Sequence, residues 1–144
     1  MITVSDLLKQ KGGQVWTIES TASVQNALKL LSEKDIGALV VTKKGILCGI
    51  FSERDFARRM ASTRAFNLES PVSKLMTAEV LTASPKDSVE QCMKLMTDHH
   101  IRHLPVMDAE KLVGMISIGD VVKSIISGQK SFIHQLEDYI SGRW

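Results

Sequence analysis

Residues 49–55 have the sequence GIFSERD, and residues 114–120 have the sequence GMISIGD. Each stretch runs from an apolar segment typical of a buried strand into a polar segment typical of a helix start. The second stretch lies 65 residues after the first, and the same shift aligns many further positions. It pairs Val24 with Val89, Leu30 with Leu95, Ile36 with Ile101, Leu39 with Leu104 and Val41 with Val106. We therefore expect two like units that bury one another's apolar faces around a pseudo-two-fold axis.

Length and composition limit the class of protein. The 144 residues suffice for one compact domain or for two half-domains that share a core. The net charge of +2 is too small to indicate a nucleic-acid partner. No apolar run approaches the roughly 20 residues that a membrane span needs, and the first residues lack the pattern of a signal peptide. We expect a cytoplasmic protein that binds neither membrane nor nucleic acid.

Both repeats predict the same order of elements, β-α-β-β-α, and hence an α/β (α+β) fold. In the first repeat we expect a strand at 15–18, a helix capped by Ser23, a hairpin formed by 38–41 and 46–51, and a helix from Ser52 towards Arg64. In the second we expect a strand at 80–83, a helix capped by Ser88, a hairpin formed by 103–107 and 112–116, and a helix at 119–126. The residues expected on the buried helix faces are Val24, Ala27, Leu28 and Leu31, and Val89, Cys92, Met93 and Met96.

Two kinds of segment lie outside the duplication. Residues 5–8 and 73–76 each predict a short helical turn leading into a repeat, and they resemble one another at an offset of 68. The tail, residues 131–140, predicts an amphipathic helix whose apolar face comprises Phe132, Leu136, Tyr139 and Ile140. That face either meets a partner or second subunit, or folds back on its own domain. The predicted division is 1–65 and 66–128 for the two repeats, with 129–144 as the tail.

The two strand-to-helix stretches are the strongest candidates for a binding site. A helix N-terminus offers free amides and partial positive charge, which suits a phosphate. Asp55 and Asp120 can each accept hydrogen bonds from adjacent hydroxyls, such as those of a ribose. Alternatively, Ser52 with Asp55 and Ser117 with Asp120 could simply cap their helices. Because the pattern occurs twice at one offset, we favour the binding role.

The entry of the central strand differs between the repeats. The second repeat has Arg102 and His103, which can donate to a phosphate at a strand edge, where the first has Gly37 and Ala38. The helix starts differ as well, with Arg54 matched by Gly119. We therefore expect two related clefts that differ in what they hold.

Other chemistries are weakly indicated. His99, His100 and His103 with Cys92 could suggest a metal site, but no recognised set of metal ligands is complete, and we expect no metal. No catalytic motif is present, and we expect no enzymatic activity.

The remaining basic and thiol side chains have ordinary explanations. Apart from Arg54, which lies inside the helix-start turn, the arginines of the first repeat predict a solvated helix face; they are Arg58, Arg59 and Arg64. Cys48 and Cys92 occupy non-equivalent apolar positions and are expected to be buried structural thiols, with a disulfide or redox pair as the alternative.

The repeat, the Gly-x-x-Ser-x-x-Asp turns and the segment IRHLPV at 101–106 together resemble a tandem pair of cystathionine-β-synthase (CBS) domains, the Bateman module, of the stand-alone bacterial type. The resemblance covers about residues 1–128. It implies two β-α-β-β-α motifs packed through their sheets, assembly into a homodimer, and regulatory binding of an adenosyl ligand. AMP is the foremost candidate, and ADP, ATP, NAD and S-adenosylmethionine are the others. The regulated protein partner is not indicated.

The resemblance also implies which residues line the two clefts. In one, Asp120 and Ser117, next to Gly119, would hold the ribose, and Arg54 would reach the phosphate. Its adenine would be lined by Thr17, Ile18, Gly37 and Ala38. In the other, Asp55 and Ser52 would hold the ribose, with Arg102 and His103 near the phosphate. Its base would be lined by Thr82, Ala83 and Pro85.

The leading hypothesis is therefore a non-catalytic adenine-nucleotide sensor. The alternative is an interaction scaffold with empty clefts that recruits a partner through the tail helix.

Overall fold

The computed structural model describes residues 1–62 and 67–141 as a mixed α/β chain, which confirms the predicted fold class. Arg64 and the side chains of Phe132 and Tyr139 lie outside the described part. The elements in chain order are α1 (Val4–Lys11), β1 (Thr17–Glu19), α2 (Val24–Lys34), β2 (Ala38–Lys43), β3 (Ile46–Ser52), α3 (Glu53–Ser62), a 3₁₀ helix (Val72–Lys74), α4 (Val89–His99), β4 (His103–Asp108), β5 (Lys111–Ser117) and α5 (Ile118–Ser141).

The described residues form two compact units. The N-repeat unit is drawn from Gln14–Leu81, and the C-repeat unit combines Met1–Gly13 with residues of Thr82–Trp144. Helix α1, expected to lead into the first repeat, thus belongs to the unit of the second. It is tied there by hydrogen bonds from the Val4 amide to the Asp87 carbonyl, 2.8 Å, and from the Val89 amide to the Ile2 carbonyl, 3.0 Å. The division of the chain after residues 65 and 128 stays a prediction.

The N-repeat unit contains a three-stranded sheet in the order β1-β2-β3. Strand β1 pairs in parallel with β2, and β2 forms an antiparallel hairpin with β3. The hairpin turns at Lys44 and Gly45, both with positive φ, as tight hairpin turns require. The first strand begins two residues later and ends one residue later than the sequence predicted. The core of the N-repeat unit is formed by Val24, Ala27, Leu31, Leu39, Val41, Phe51 and Val72.

The C-repeat unit contains the same hairpin, formed by β4 and β5, with a bulge at the same repeat position. The register shifts between Val41 and Thr42 in one hairpin and between Val106 and Met107 in the other. The core of the C-repeat unit is formed by Val4, Leu7, Ala83, Val89, Cys92, Met96, Leu104, Val106, Ile116 and Val121.

The strand predicted at 80–83 is wrong, because only Ala83 bridges to Val106 there. In the N-repeat unit the outer strand is held by the Val40 amide, which donates to the Trp16 carbonyl, and by the Ser20 amide, which donates to the Thr42 carbonyl. The matching positions in the second repeat are prolines, Pro105 and Pro85. Proline has no N–H, so both ladder bonds are lost. Ala83 still makes two hydrogen bonds to β4: its amide donates to the Pro105 carbonyl, and its carbonyl accepts from the Met107 amide.

The helix boundaries follow the predicted caps. The Ser23 hydroxyl accepts from the Asn26 amide, and the Ser88 hydroxyl accepts from the Gln91 amide, each at 3.1 Å. The Gln91 side chain returns a bond to the Ser88 amide, which completes a capping box. Helices α2 and α4 both end in a left-handed residue, Asp35 and His100, so the duplication extends to the C-caps.

The predicted inward helix faces are largely confirmed, since Val24, Ala27 and Leu31, and Val89, Cys92 and Met96, are buried. Both cysteines are free thiols. Cys92 is buried as predicted, and burial, followed by the charge of Asp87, raises the pKa of its thiol to about 11. Cys48 is only half-buried, which corrects the expectation that both thiols are buried.

Helix α5 is continuous from Ile118 to Ser141, where the sequence predicted separate helices at 119–126 and 131–140. Gly128 lies within it without interrupting it. A Cβ at that position would lie 3.1 Å from the Ile2 side chain, so the glycine allows close packing of the N-terminal segment. None of the described helices is both long and apolar enough to span a membrane.

Candidate functional site

Both Gly-x-x-Ser-x-x-Asp turns join the end of a strand to the start of a helix, as predicted. Strand β3 ends at Ser52 and β5 at Ser117, and the following helix begins at the next residue in each case. The Ser52 hydroxyl accepts from the Asp55 amide and the Ser117 hydroxyl from the Asp120 amide, both at 3.1 Å. The capping interpretation is therefore correct for both serines. At the second turn the Asp120 carboxylate also accepts from the Ser117 amide, which completes a capping box, whereas the Asp55 carboxylate contacts the Thr77 hydroxyl.

The carboxylate of Asp120 accepts hydrogen bonds from two groups of its own unit. It accepts a 2.9 Å hydrogen bond from the Ser117 amide, and the Lys11 ammonium donates to the same oxygen at 2.5 Å. Lys11 also donates to the Met115 carbonyl at 2.7 Å. Burial by itself would raise the pKa of Asp120, but the bonds from Lys11 and Ser117 outweigh it and lower the pKa below its usual value. Asp120 is therefore an ionised, paired carboxylate.

The carboxylate of Asp55 has a weaker partner. It accepts a 3.5 Å hydrogen bond from the hydroxyl of Thr77, which follows the 3₁₀ helix of the same unit. A neutral hydroxyl at that distance contributes little compared with a charged ammonium in contact. The two equivalent aspartates thus face different groups.

The glycines of the two turns serve local packing. A Cβ at Gly114 would lie 2.7 Å from a methyl group of Leu8, and one at Gly49 would overlap the Met76 side chain. Leu8 and Met76 lie 68 residues apart, which is the offset of the two lead-in segments. These glycines therefore allow the close approach of the lead-in segments, and these segments bring Lys11 and Thr77 to the aspartates.

A cavity of about 300 Å³ opens beside Asp120 within the C-repeat unit. Two ammonium groups, Lys11 and Lys123, and two hydroxyls, Ser124 and Ser127, lie on its wall together with Leu7 and Gln10. Such donors suit an anionic group. No local sequence pattern predicts this wall or marks Lys11, because α1 and α5 lie more than 100 residues apart in the chain.

The strand entries lie against the helix starts in each unit. The Gly37 carbonyl accepts from the Glu53 amide at 3.1 Å, and the Arg102 carbonyl accepts from the Ile118 amide at 2.8 Å. His103 is half-buried at the start of β4, and the Arg102 side chain is exposed. The structure thus brings Gly37 beside the Asp55 turn and Arg102 beside the Asp120 turn.

The other predicted residues lie on the same two units. In the N-repeat unit Thr17 and Ile18 are on β1, Ala38 begins β2, and Arg54 is exposed on α3. In the C-repeat unit Thr82, Ala83 and Pro85 precede α4, and Gly119 is exposed in the first turn of α5. Each predicted cleft draws residues from both units, so its assembly stays a prediction. Over residues 1–62 and 67–141 no three metal-ligating side chains converge.

An exposed apolar seam follows the length of α5. Val122, Ile126, Ile133, Leu136 and Ile140 are between 37% and 83% exposed. With the exposed Gln129, their spacing alternates between four and three residues, which is the repeat of a coiled-coil contact face. This seam shares Leu136 and Ile140 with the apolar face predicted for the tail.

A family model described as "CBS domain" matches residues 4–62 and 72–127. The chain belongs to the CBS-domain family and carries two copies of the domain. It is 36% identical to the Arabidopsis thaliana CBS domain-containing protein CBSX3, mitochondrial, over 97% of this chain and 72% of that protein. It is 41% identical to the crystal structure of the CBS-domain containing protein ATU1752 from Agrobacterium tumefaciens, with a TM-score of 0.81, over 85% of this chain and 98% of that one.

Two similar structures contain adenosyl compounds. The CBS domain protein PAE2072 from Pyrobaculum aerophilum, complexed with AMP, is 28% identical with a TM-score of 0.73, over 83% of this chain and 89% of that one. The CBS domain pair of protein MJ0100, in complex with 5′-methylthioadenosine and S-adenosyl-L-methionine, is 25% identical with a TM-score of 0.76, over 90% and 98%.

Proposed function

We propose that this chain is a non-catalytic regulatory module that binds AMP or another adenosyl ligand (ADP, ATP, NAD or S-adenosylmethionine). The observation that carries the proposal is the pair of equivalent carboxylates, Asp55 and Asp120, each fixed in the first turn of a helix by a capping serine. Carboxylates in this position can accept hydrogen bonds from both hydroxyls of a ribose, and the adjoining helix N-terminus favours the binding of a phosphate. The AMP complex of a protein with this fold supports the same ligand class.

In the proposed arrangement each carboxylate is completed by residues of the other repeat. Asp120 and Ser117 would act with Thr17, Ile18, Gly37, Ala38 and Arg54. Asp55 and Ser52 would act with Thr82, Ala83, Pro85, Arg102 and His103. The basic side chains would bind phosphate and the small or apolar ones would line adenine. The cytoplasmic location remains a prediction of the sequence.

A melting experiment with AMP, ADP, ATP, NAD and S-adenosylmethionine tests the proposal. A ligand at a hundred times its Kd adds about 2.7 kcal/mol to folded-state stability, which corresponds to a rise in Tm of about 5–10 °C for a chain of this size. Asp55→Ala and Asp120→Ala should each reduce the rise, while Asp98→Ala, on the exposed end of α4, should leave it unchanged. The proposal fails if no ligand raises Tm, or if both site variants respond as the wild type does.

We further propose that the module works as a homodimer joined through the α5 seam. The alternating spacing of four and three residues is the pattern by which two helices pair through a coiled-coil face. Lys130 and Glu137 lie on the same flank of the seam, one heptad apart, and both are exposed. In an antiparallel pair of α5 helices, Lys130 of one copy would face Glu137 of the other.

Light scattering on the purified chain distinguishes this arrangement from its alternatives. We expect the wild type and Gln135→Glu, which lies off the seam, to be dimers and Ile133→Glu to be a monomer. A monomeric wild type would refute the dimer. If that monomer also showed no ligand-dependent rise in Tm, the seam would instead favour the alternative function, a scaffold that recruits a different protein through α5.

A further inference from the structure

The ammonium of Lys11 lies against one of the two carboxylate oxygens of Asp120, Oδ2, so a ribose diol that uses both oxygens has to compete with it. It lies 2.5 Å from the carboxylate, and the Met115 carbonyl, 2.7 Å away, holds it from a second side. The Lys11 side chain is 36% exposed and that of Asp120 24% exposed, so the pair is partly withdrawn from water. A neutral diol that took the carboxylate would leave an ammonium without its counter-charge, at a cost in binding energy.

The equivalent aspartate of the N-repeat unit presents no such obstacle. In the N-repeat unit the lead-in segment places Thr77 beside Asp55, with the Thr77 hydroxyl 3.5 Å from the carboxylate. A neutral hydroxyl can be displaced without leaving a charge unpaired. At the two carboxylates themselves, the sites therefore differ in the charge of the side chain that contacts the aspartate.

We propose that Lys11 is a specificity-determining residue that makes the Asp120 site select phosphorylated adenosyl ligands over uncharged ones. This inference rests on the proposed function, since it concerns the ligand of the same aspartate. A phosphorylated ligand brings its own negative charge, and the displaced ammonium of Lys11 pairs with it when the ribose takes the carboxylate. The cavity beside the pair adds Lys123, Ser124 and Ser127 as further donors.

The alternative is that Lys11 only stabilises the fold. Calorimetric titration with AMP and with adenosine separates the two, because these ligands differ only in the phosphate. The measurements are made in an Asp55→Asn background, which removes the carboxylate of the other site. The variants are Lys11→Met and the matched control Lys9→Met, which removes an exposed ammonium from the same helix.

With Lys11 present we expect AMP to bind at least about tenfold more tightly than adenosine, the scale of a charge-assisted hydrogen bond. Lys11→Met should reduce that ratio to within about twofold, by weakening AMP binding and strengthening adenosine binding. Lys9→Met should leave the ratio unchanged. If both ligands bind and Lys11→Met leaves the ratio of AMP affinity to adenosine affinity unchanged, this inference is wrong while the proposed function stands. If neither binds the protein with both aspartates intact, the proposed function fails and the inference with it.

Discussion

Replacing Asp120 by asparagine should lower the free energy of unfolding by about 1–2 kcal/mol at pH 7. The carboxylate accepts hydrogen bonds from the Lys11 ammonium at 2.5 Å and from the Ser117 amide at 2.9 Å. Hydrogen bonds to charged groups contribute about 1.5–3 kcal/mol. The partial exposure of both side chains screens the ion pair, and asparagine keeps an acceptor for Ser117, so the expected loss lies towards the lower end.

The loss should depend on pH, and its sign follows from the pKa of Asp120. Burial would raise this pKa, but Lys11 and Ser117 lower it below the usual value in the folded chain. A carboxyl with a lowered folded pKa adds stability above its unfolded pKa of about 3.9, and that stability is lost as the pH falls through the folded value. The difference in free energy of unfolding between wild type and Asp120→Asn should therefore have its largest value at pH 7 and pH 5 and should be smaller at pH 3.

Urea unfolding followed by circular dichroism at pH 7, 5 and 3 measures this difference. Asp98→Asn is the matched control, because Asp98 pairs with Lys94 at 3.2 Å on an exposed helix surface. Its effect should stay within about 0.5 kcal/mol at every pH. An effect of Asp120→Asn no larger than that of the control at pH 7, or one that persists undiminished at pH 3, would refute the reasoning.

Three further substitutions or labelling experiments test the packing. Leu104→Ala should lower the free energy of unfolding in urea by about 2–5 kcal/mol, because Leu104 is fully buried. Leu68→Ala should lower it far less, because Leu68 is 40% exposed. Equal losses would contradict the assigned core. Ser88→Ala should cost about 1 kcal/mol through loss of the capping box, and Ser88→Thr should recover most of it; an alanine variant as stable as the threonine variant would rule out the cap. Cys48 should react with a thiol reagent at pH 8 much faster than Cys92, because Cys92 is buried, thiolate is the reactive form, and burial raises the pKa of Cys92 to about 11. Similar rates would show that Cys92 is not protected.

Local periodicity was sufficient to predict most of the fold. The hairpins, the buried faces of α2 and α4 and the caps at Ser23 and Ser88 depend on residues within a few positions of one another, so the sequence shows them directly. The turns around Asp55 and Asp120 were predictable for the same reason. Their recurrence at one offset also indicated the family.

The features that were mispredicted depend on distant residues. The missing outer strand of the C-repeat unit results from Pro85 and Pro105, which lie on different segments and act on the same ladder. Gly128, where the sequence predicted a break, lies within α5 and packs close to Ile2 at the other end of the chain. The Lys11–Asp120 pair spans 109 positions of the chain, and only the folded unit shows that these side chains meet.

Pro85 and Pro105 have a consequence for association between chains. The outer edge of β4 is a row of backbone groups that an extended segment from another molecule could use to add a strand. Pro105 supplies a carbonyl but no donor in the middle of that row, and the bonds of Ala83 already occupy the Pro105 carbonyl and the Met107 amide. The proline that shortens the sheet therefore also makes its edge a poor template for aggregation. Over the described residues the C-repeat unit has one strand fewer, but Pro105, the bonds of Ala83 and the burial of residues 104–106 protect this edge of β4 from intermolecular strand pairing.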